Sequence, residues 1–359
     1  MDPSLAVKAE TPRTSEAPPK TALLDLTIEE LKNFVSALGE RPYRAEQLAA
    51  WLHRRKAKDF HAMTDVSLAS RRLFLERSEI SPRAGILKKT LSSGGTLKLL
   101  NLLPDGEKVE SVLIPDGSRL TLCLSSQTGC ALGCAFCRTA TLGPGRNLSQ
   151  GELLTQLDEA EESSARKATS LVFMGMGEPL LNRANLEKAL SIIVNPKYKA
   201  FAQKDVTVST VGIIPELLRF GASFPKIPLA VSLNSADQSL REELMPAARA
   251  YPLKDLKEAL LNYPLPKNRR FTVAYVLLKG VNDGPRDLKA LSRYLTGLRV
   301  KINLIAFNPW PGAPFEAPEA ERVEEFRRGL LAKNFTALVR KSRGSSVGAA
   351  CGQLRAEEL

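Results

Sequence analysis

Apolar residues recur at helical spacing in the first quarter of the chain. Thr27 and Glu30 have the spacing of a capping box at the start of the first helical segment. The apolar positions that share the helical spacing are Leu31, Phe34, Leu38, Ala45, Leu48, Trp51 and Leu52. They predict a small helical accessory domain over residues 21–95, with Trp51 in its core. Residues 1–20 are rich in Pro, Ser, Thr, Lys and Glu without apolar periodicity, which predicts a disordered tail.

A period of two replaces the helical period further along. Residues 96–117 alternate apolar and polar positions around two Asp-Gly pairs, at residues 105–106 and 116–117. Because Asp-Gly favours tight hairpin turns, the segment predicts a short β-meander. We assign this meander as a linker over residues 96–118.

Strand-like and helical segments alternate from Arg119 onward. The six strand-like runs are residues 120–125, 170–174, 206–210, 228–233, 271–278 and 301–307. Alternation of this kind predicts an α/β core, assigned to residues 119–346, whose parallel strands are joined by right-handed crossovers. Active-site groups are then expected on the loops at the carboxyl ends of the strands.

Composition narrows the class of protein. The 359 residues are 43% hydrophobic, which is typical of a globular chain with one large and one smaller domain. A net charge of +12 favours a polyanionic partner, although a merely solvated basic surface fits the charge equally well. No apolar run approaches the roughly 20 residues of a membrane span, and residues 1–20 lack the apolar core of a signal peptide. We therefore expect a cytoplasmic protein without a membrane partner.

The five cysteines carry the most specific chemical signal. Cys130, Cys134 and Cys137 form a C-x3-C-x2-C triplet, whereas Cys123 and Cys351 stand apart. Three thiolates on a tight loop can hold three irons of a 4Fe-4S cube and leave the fourth iron open. The alternative is a zinc knuckle with Cys123 as fourth ligand, but the usual paired C-x2-C halves are absent. A disulfide framework fits an odd number of cysteines poorly.

Several longer motifs surround this triplet. They are LCLSSQTGCALGCAFC at 122–137, GMGEPLLN at 175–182, ELMP at 243–246, NPWPGAP at 308–314 and AACGQL at 349–354. Together they resemble the RlmN/Cfr family of radical S-adenosylmethionine (SAM) adenosine methyltransferases, over residues 23–354. The resemblance implies an open (β/α)6 partial barrel with a small helical RNA-binding domain before it. It also implies a C-terminal segment, residues 347–359, that carries a methyl-bearing cysteine.

The resemblance assigns a cofactor site. Cys130, Cys134 and Cys137 match the ligands of one 4Fe-4S cluster, whose open iron binds SAM. The positions that match family SAM contacts are Gly177, Glu178, Ser209, Ser232, Leu233, Asn234 and Asn308. In this set Gly177 allows close backbone approach and the Glu178 carboxylate pairs with the SAM ammonium group. Asn234 departs from the family, because many members have histidine there.

The resemblance also assigns the reaction. Adenine C2 is electrophilic, so ordinary transfer of a methyl group from a sulfonium cannot reach it. In the family the cysteine matching Cys351 carries the methyl group, and the thiol matching Cys123 resolves a protein–RNA adduct by forming a disulfide. Glu110 matches a proton acceptor, a role that Cys123 could equally take. The implied substrate is an adenine of 23S rRNA, with a tRNA adenine as second target.

Alternatives remain open at this stage. The nearest is a Cfr-like enzyme that methylates adenine C8. Others are a radical SAM enzyme acting on a non-RNA substrate and a non-enzymatic RNA-binding cluster protein. An electron donor such as flavodoxin and a monomeric state are expected.

RNA contact and the two histidines complete the sequence predictions. The candidate phosphate contacts are Arg54, Arg55, Lys56, Lys267, Arg269, Arg270, Arg340, Lys341 and Arg343. Each of them could instead merely solvate the surface. His53 and His61 are expected to be surface or packing residues.

Overall fold

The computed structural model describes residues 20–80 and 85–356. The predicted disordered tail lies outside the described residues, apart from Lys20. Within the described ranges no helix combines the length and the apolar character that a membrane span requires.

A small helical module begins the described chain. Its elements are strand β1 (Thr21–Ala22), helices α1 (Ile28–Ala37), α2 (Tyr43–Ala49) and α3 (Leu68–Arg77), and strand β2 (Ser78–Glu79). The predicted capping box is confirmed, because the Thr27 side chain accepts from the amide of Glu30 and the Glu30 carboxylate accepts from the amide of Thr27. Strands β1 and β2 pair in parallel and close the module.

The core of this module is formed by the apolar positions that the helical spacing selects. Leu31, Ala45, Leu48 and Leu52 are completely buried. Trp51 lies at the edge of the core, where its indole N–H donates to Asp65 at 2.6 Å. The prediction of Trp51 as a core residue is therefore only partly right, since the indole needs a polar partner.

A ten-stranded sheet lies at the centre of the larger, second part of the molecule. Its strands are β3 (Gly85–Leu91), β4 (Leu97–Leu102), β5 (Lys108–Asp116), β6 (Arg119–Leu124), β7 (Ser170–Phe173), β8 (Val206–Thr210), β9 (Leu229–Ser232), β10 (Phe271–Leu277), β11 (Val300–Ala306) and β12 (Ala337–Val339). They lie in sequence order across the sheet. Strands β3 to β6 pair antiparallel, and strands β6 to β12 pair in parallel.

Helices connect the parallel strands, as expected for crossovers. They are α4 (Gln150–Glu162), α5 (Arg183–Ile193), α6 (Ile214–Ser223), α7 (Gln238–Leu244), α8 (Leu253–Asn262), α9 (Pro285–Leu295) and α10 (Ala320–Leu331). All six predicted strands are present, which confirms the α/β prediction. The short strand β12 was missed, because its three residues include the exposed Leu338 and give no buried run.

The meander is continuous with the parallel sheet. Strand β6 uses one edge to pair with β5 and the other to pair with β7, so no separate linker lies between them. Strand β3 falls inside the range predicted as helical, yet it pairs with β4 at the margin of the large sheet. The sequence hid β3 because its residues are mostly exposed, with three of its seven positions Lys or Thr.

The helical module is joined to the core by charges as well as by apolar contacts. The Lys56 ammonium lies 3.2 Å from Asp158 and 2.9 Å from Glu161 on α4, and Lys199 also pairs with Asp158. His53 is buried beside this network, and burial lowers the pKa of its imidazole to about 3. Lys56 therefore stabilises module docking, which contradicts its prediction as a phosphate contact.

Candidate active site

One face of the sheet carries the predicted catalytic and SAM-contact side chains. Strand pairing and the alternation of side chains place Cys123, Ser209 and Ser232 on the same face. The neighbouring residues Leu122 and Leu124 point the other way and are fully buried in the helix-covered core. The face with the three polar residues is thus the inner face of the open barrel.

The cysteine triplet lies on the loop that follows β6. The amide of Cys130 donates to the Gly143 carbonyl at 2.9 Å, and the amide of Ala135 donates to the Leu244 carbonyl at 3.0 Å. Two backbone segments also touch closely, because a Cβ atom on Gly145 would lie 2.1 Å from the nitrogen of Gly129. The loop is therefore fixed at both ends and from the side of α7.

The three cysteines are half-buried and their thiols repel one another's charge. Burial raises the pKa of Cys130 to about 11, and it raises the pKa of Cys134 and Cys137 as well. The pKa of Cys134 is raised further by its two partner thiols, which shows that the group lies together. Thiolates gathered in this way need a bound cation, so the donor set fits a metal group.

The chemistry of the donor set distinguishes two kinds of metal site. A structural zinc site takes four ligands, usually from paired C-x2-C halves, which the chain lacks. In a 4Fe-4S cube each thiolate binds a different iron, and three thiolates leave the fourth iron open. Cys130, Cys134 and Cys137 are a donor set of the second kind.

Gly177 and Glu178 lie where β7 ends. Gly177 has a φ of +89°, and a Cβ atom there would lie 2.5 Å from the Cβ of Gln127, so only glycine fits. The buried Glu178 carboxylate accepts from the amides of Val211 and Leu180 at 3.0 and 3.1 Å. Burial raises its pKa to about 7, although these hydrogen bonds oppose the shift. A bound ammonium group would restore the charged form.

Leu233 and Asn234 follow β9, and both form hydrogen bonds with the backbone of β10. The Leu233 amide donates to the Ala274 carbonyl. Asn234 has a φ of +56°, a conformation that asparagine tolerates better than most residues. Its side-chain oxygen accepts from the Val276 amide at 2.9 Å, and its side-chain nitrogen donates to the Met245 sulfur. Asparagine in place of the family histidine therefore acts as a buried link between β9 and β10.

The C-terminal segment closes over the same edge of the sheet. The Asn308 side chain donates to the Cys351 carbonyl at 3.1 Å. The next carbonyl, of Gly352, accepts from the amide of Arg138 at 2.8 Å, directly after Cys137. The Cys351 side chain is exposed. The segment thus brings Cys351 to the mouth of the barrel beside the cysteine loop.

Cys123 and Glu110 lie beneath this segment. Burial, together with the nearby Cys351 thiol, raises the pKa of the Cys123 thiol to about 12. Glu110 is almost completely buried, and its carboxylate lies 2.8 Å from the Lys98 ammonium and accepts from the Arg355 amide at 2.9 Å. The structure therefore places Cys123, Cys351 and the Glu110 carboxylate together at the C-terminal segment.

Two site residues were missed by the sequence analysis. Arg241, on α7, is 1% exposed and donates to the carbonyls of Leu233, Tyr251 and Val211. Asn282 is completely buried and donates to the carbonyls that follow β9 and end β10. Arg241 stands two residues before the ELMP motif, but a lone arginine on an amphipathic helix reads as a surface residue.

The candidate phosphate contacts are dispersed. Arg54 and Arg55 remain exposed on the helical module, where the Arg55 guanidinium lies over the Trp51 ring at 4.1 Å. Arg340 instead reaches the inner face, where its guanidinium is 4.0 Å from the Met174 sulfur. Arg343 pairs with Asp116 and so holds the C-terminal region to the meander. Of the two histidines, His53 is buried in packing and His61 is exposed, as predicted.

Family models match two parts of the chain. Residues 21–80 match the model described as the ribosomal RNA large subunit methyltransferase N-terminal domain. Residues 124–291 match the radical SAM superfamily model. The second range contains the cysteine triplet and most of the predicted SAM contacts, and that superfamily is the one in which a 4Fe-4S cluster and SAM are expected.

Curated relatives and a solved structure cover nearly the whole chain. Proteins named "Dual-specificity RNA methyltransferase RlmN" from Syntrophobacter fumaroxidans and Anaeromyxobacter sp. are each 44% identical to it, over 93% and 94% of this chain and 97% and 92% of theirs. The crystal structure of a radical SAM methyltransferase from Sphaerobacter thermophilus superposes with a TM-score of 0.87 at 39% identity, covering 94% of this chain and 100% of the other. The predicted fold and family are confirmed: the chain belongs to the RlmN family of radical SAM methyltransferases.

Proposed function

We propose that this chain methylates C2 of an adenine in 23S rRNA, with a tRNA adenine as second substrate, and that Cys351 carries the methyl group. The observation that carries the proposal is the placement of Cys351. Its carbonyl accepts from Asn308, and the following carbonyl accepts from the residue after Cys137. An exposed thiol at the barrel mouth, close to a buried second thiol, is the arrangement that such transfer requires.

Cys130, Cys134 and Cys137 would hold the 4Fe-4S cluster, with SAM against the carboxyl ends of the neighbouring strands. Bound there, the cluster and SAM together supply the one-electron chemistry that can remove hydrogen from an unactivated methyl group. Ser209 and Ser232 line the inner face beside this position. The closed inner face and the C-terminal segment would keep water from the reacting atoms.

Cys351 would carry the carbon that adds to adenine C2, because this electrophilic position cannot take a methyl group directly from a sulfonium. After loss of a hydrogen atom, the carbon attached to the Cys351 sulfur would add to adenine C2 as a radical. One electron would leave the adduct for the one-electron acceptor that Cys130, Cys134 and Cys137 would hold, and the C2 hydrogen would leave as a proton. Glu110 is a suitable acceptor, because its carboxylate lies under the C-terminal segment and is held by Lys98 and the Arg355 amide. Proton transfer to a positioned carboxylate accelerates such a step.

Cys123 would release the product. Its thiolate attacks the Cys351 sulfur, the bond from that sulfur to the transferred carbon breaks, and a Cys123–Cys351 disulfide forms. The electron pair of the broken bond and one proton remain on the methylated base. Burial keeps Cys123 protonated until this step, since it raises the pKa to about 12. Two-electron reduction would then restore both thiols. We propose a flavodoxin-type electron donor for this step, and a monomeric enzyme.

RNA would enter beside the helical module and the meander. A cleft of about 330 Å³ borders Glu110 and the C-terminal segment, and its walls include Lys88, Lys98, Arg138 and Trp310. Cations and an indole ring are suited to the phosphates and bases of an unpaired strand. We further propose that residues 21–80 act as the accessory RNA-binding domain, with Arg54 and Arg55 at its exposed surface.

Mass spectrometry of digested 23S rRNA, from cells with and without the gene, tests this function. The proposal expects 2-methyladenosine only in the cells that carry the gene. If 8-methyladenosine is found in its place, the activity is the Cfr-like alternative and the C2 assignment is wrong. If neither nucleoside depends on the gene, in rRNA or in tRNA, the RNA methyltransferase proposal itself is contradicted.

A further inference from the structure

Among the residues that the structure describes, Arg241 has the largest side chain with less than 2% of its surface exposed; its own exposed fraction is 1%. Each of its three guanidinium nitrogens donates to a backbone carbonyl: Nε to Leu233 at 3.2 Å, Nη1 to Tyr251 at 3.3 Å, and Nη2 to Val211 at 2.8 Å. Within residues 20–80 and 85–356, no carboxylate forms a salt bridge with this guanidinium. A full positive charge is therefore buried among neutral dipoles.

The position of Arg241 links three loops at the carboxyl edge. Val211 follows β8, Leu233 follows β9, and Tyr251 lies beyond the ELMP motif. The helix of Arg241 also touches the cysteine loop, because the amide of Ala135 donates to the carbonyl of Leu244 at 3.0 Å. The guanidinium thus holds the segments that surround the cysteine triplet.

An isolated buried cation is costly to maintain. Leaving a charge in the interior without an opposite partner costs several kcal/mol, and three carbonyl dipoles offset only part of this. Burial accordingly lowers the pKa of Arg241, whereas the neighbouring Tyr294 and Cys134 raise it. Burial also raises the pKa of the Tyr294 phenol, so this group stays neutral. The amide of Val211 donates to Glu178, and the carbonyl of Val211 accepts from Arg241. Glu178 itself forms no ion pair with the Arg241 guanidinium among the contacts of the described residues. The missing negative charge is thus expected from the cysteine loop.

We propose that Arg241 is the fixed counter-charge of the cluster: three carbonyls hold its guanidinium on the helix that contacts the cysteine loop, where it would stabilise the anionic, reduced state of a cluster held by Cys130, Cys134 and Cys137. Arg241 is in this sense a positioning residue rather than a catalytic one. The inference rests on the cluster-bearing site of the proposed function but not on the identity of the RNA. Because net charge near a cluster sets its reduction potential, removing this cation makes reduction harder.

The test is a redox titration of the reconstituted protein, followed by electron paramagnetic resonance. For Arg241→Gln we expect the equilibrium for reduction to fall by at least about tenfold, which is about 59 mV for a one-electron couple. Arg241→Lys keeps the charge but not the planar fork, so its potential should stay near that of the wild type. Equal shifts in the Gln and Lys variants would overturn the inference, since only geometry would then matter.

Two measurements keep this test decisive. Thermal unfolding of the apo-proteins identifies variants that do not fold, and iron analysis identifies variants without a cluster. If Arg241→Gln does not fold, Arg241→Met replaces it as the uncharged variant: a potential lower than that of Arg241→Lys supports the counter-charge, and equal potentials contradict it. A wild-type chain that binds no cluster would contradict the proposed function, whereas an intact cluster with an unmoved potential in Arg241→Gln contradicts only this inference.

Discussion

The cysteine loop, residues 129–145, and the C-terminal segment, residues 348–356, meet at the barrel mouth but are built differently. The loop is packed so closely that a side chain on Gly145 would overlap the backbone of Gly129, and its three cysteines are half-buried. The C-terminal segment is attached by separate hydrogen bonds to Asn308, Arg138, Thr139, Pro309 and Glu110, and its cysteine is exposed. A loop that holds a permanent group needs fixed donors, whereas a residue that exchanges its chemical state must remain able to move.

Replacing one cysteine in the loop and one in the C-terminal segment should give the two regions' most different outcomes, in iron content and in RNA methylation. Cys134→Ala should lose the cluster, because only two thiolates remain to hold it. Cys351→Ala should retain about four irons per chain but methylate no RNA, since the methyl carrier is gone. Iron analysis and nucleoside mass spectrometry together check both results. Loss of iron from Cys351→Ala, or methylated adenosine from that variant, would show that the two regions are not divided in this way.

Adding one methyl group to each region should separate them by stability. Gly145→Ala places a Cβ atom 2.1 Å from a backbone nitrogen, so it should cost about 3 kcal/mol or more. Gly348→Ala meets its nearest atom at 3.6 Å and carries only the strain of a φ of +61°, about 1–2 kcal/mol. Urea unfolding of the two apo-proteins measures the difference. Equal losses of stability would mean that the loop is no tighter than the segment.

The buried glutamates Glu178 and Glu110 allow a further test, through the pH dependence of the free energy of unfolding. The pKa of Glu178 is raised to about 7 from an ordinary value of 4.5, so the folded state binds its proton more tightly than the unfolded state does. Its contribution to stability is full below pH 4.5 and is lost as pH rises to about 7, by up to about 3 kcal/mol. Glu178→Gln should remove this dependence in the apo-protein. Glu110→Gln is the matched control, because Lys98 already pairs with Glu110.

Urea unfolding at several pH values decides the point. The account expects the wild type and Glu110→Gln to lose stability between pH 4.5 and 7, and Glu178→Gln to lose less. The same slope in all three proteins would show that Glu178 is charged in the folded apo-protein.

The smallest expected effect concerns the attachment of the C-terminal segment. Asn308→Ala removes the hydrogen bond to the Cys351 carbonyl, which should weaken the segment by about 1 kcal/mol. Amide hydrogen exchange over residues 350–354 should then accelerate about fivefold. Asn268→Ala, at an exposed position, is the control. Unchanged exchange in Asn308→Ala would indicate that other contacts alone hold the segment.

Much of the fold could be predicted because its signals are local. The capping box at Thr27 and the six buried parallel strands each follow from residues close in sequence. Strands β3 and β12 escaped prediction for a physical reason, since they lie at the two margins of the sheet and are largely exposed. A strand without a buried face has no apolar alternation to reveal it.

The site could be predicted only where chemistry is written in motifs. Cysteine spacing and the family motifs indicate the donor loop and the two further thiols. Contacts between distant segments gave no such signal, as the buried Arg241 and the Lys56–Asp158 pair show. Lys56 was wrongly predicted as a phosphate contact, because its sequence neighbours are basic and its acidic partners lie about a hundred positions away.

In the proposed reaction one carbon passes to the base through the sulfur of Cys351. Peptide mapping by mass spectrometry of Cys123→Ala after reaction with RNA tests this step, because that variant cannot release the adduct. We expect a nucleotide covalently attached to the peptide that contains Cys351, and no adduct in Cys351→Ala. If Cys123→Ala forms no adduct, or if the adduct lies on another residue, Cys351 is not the carrier.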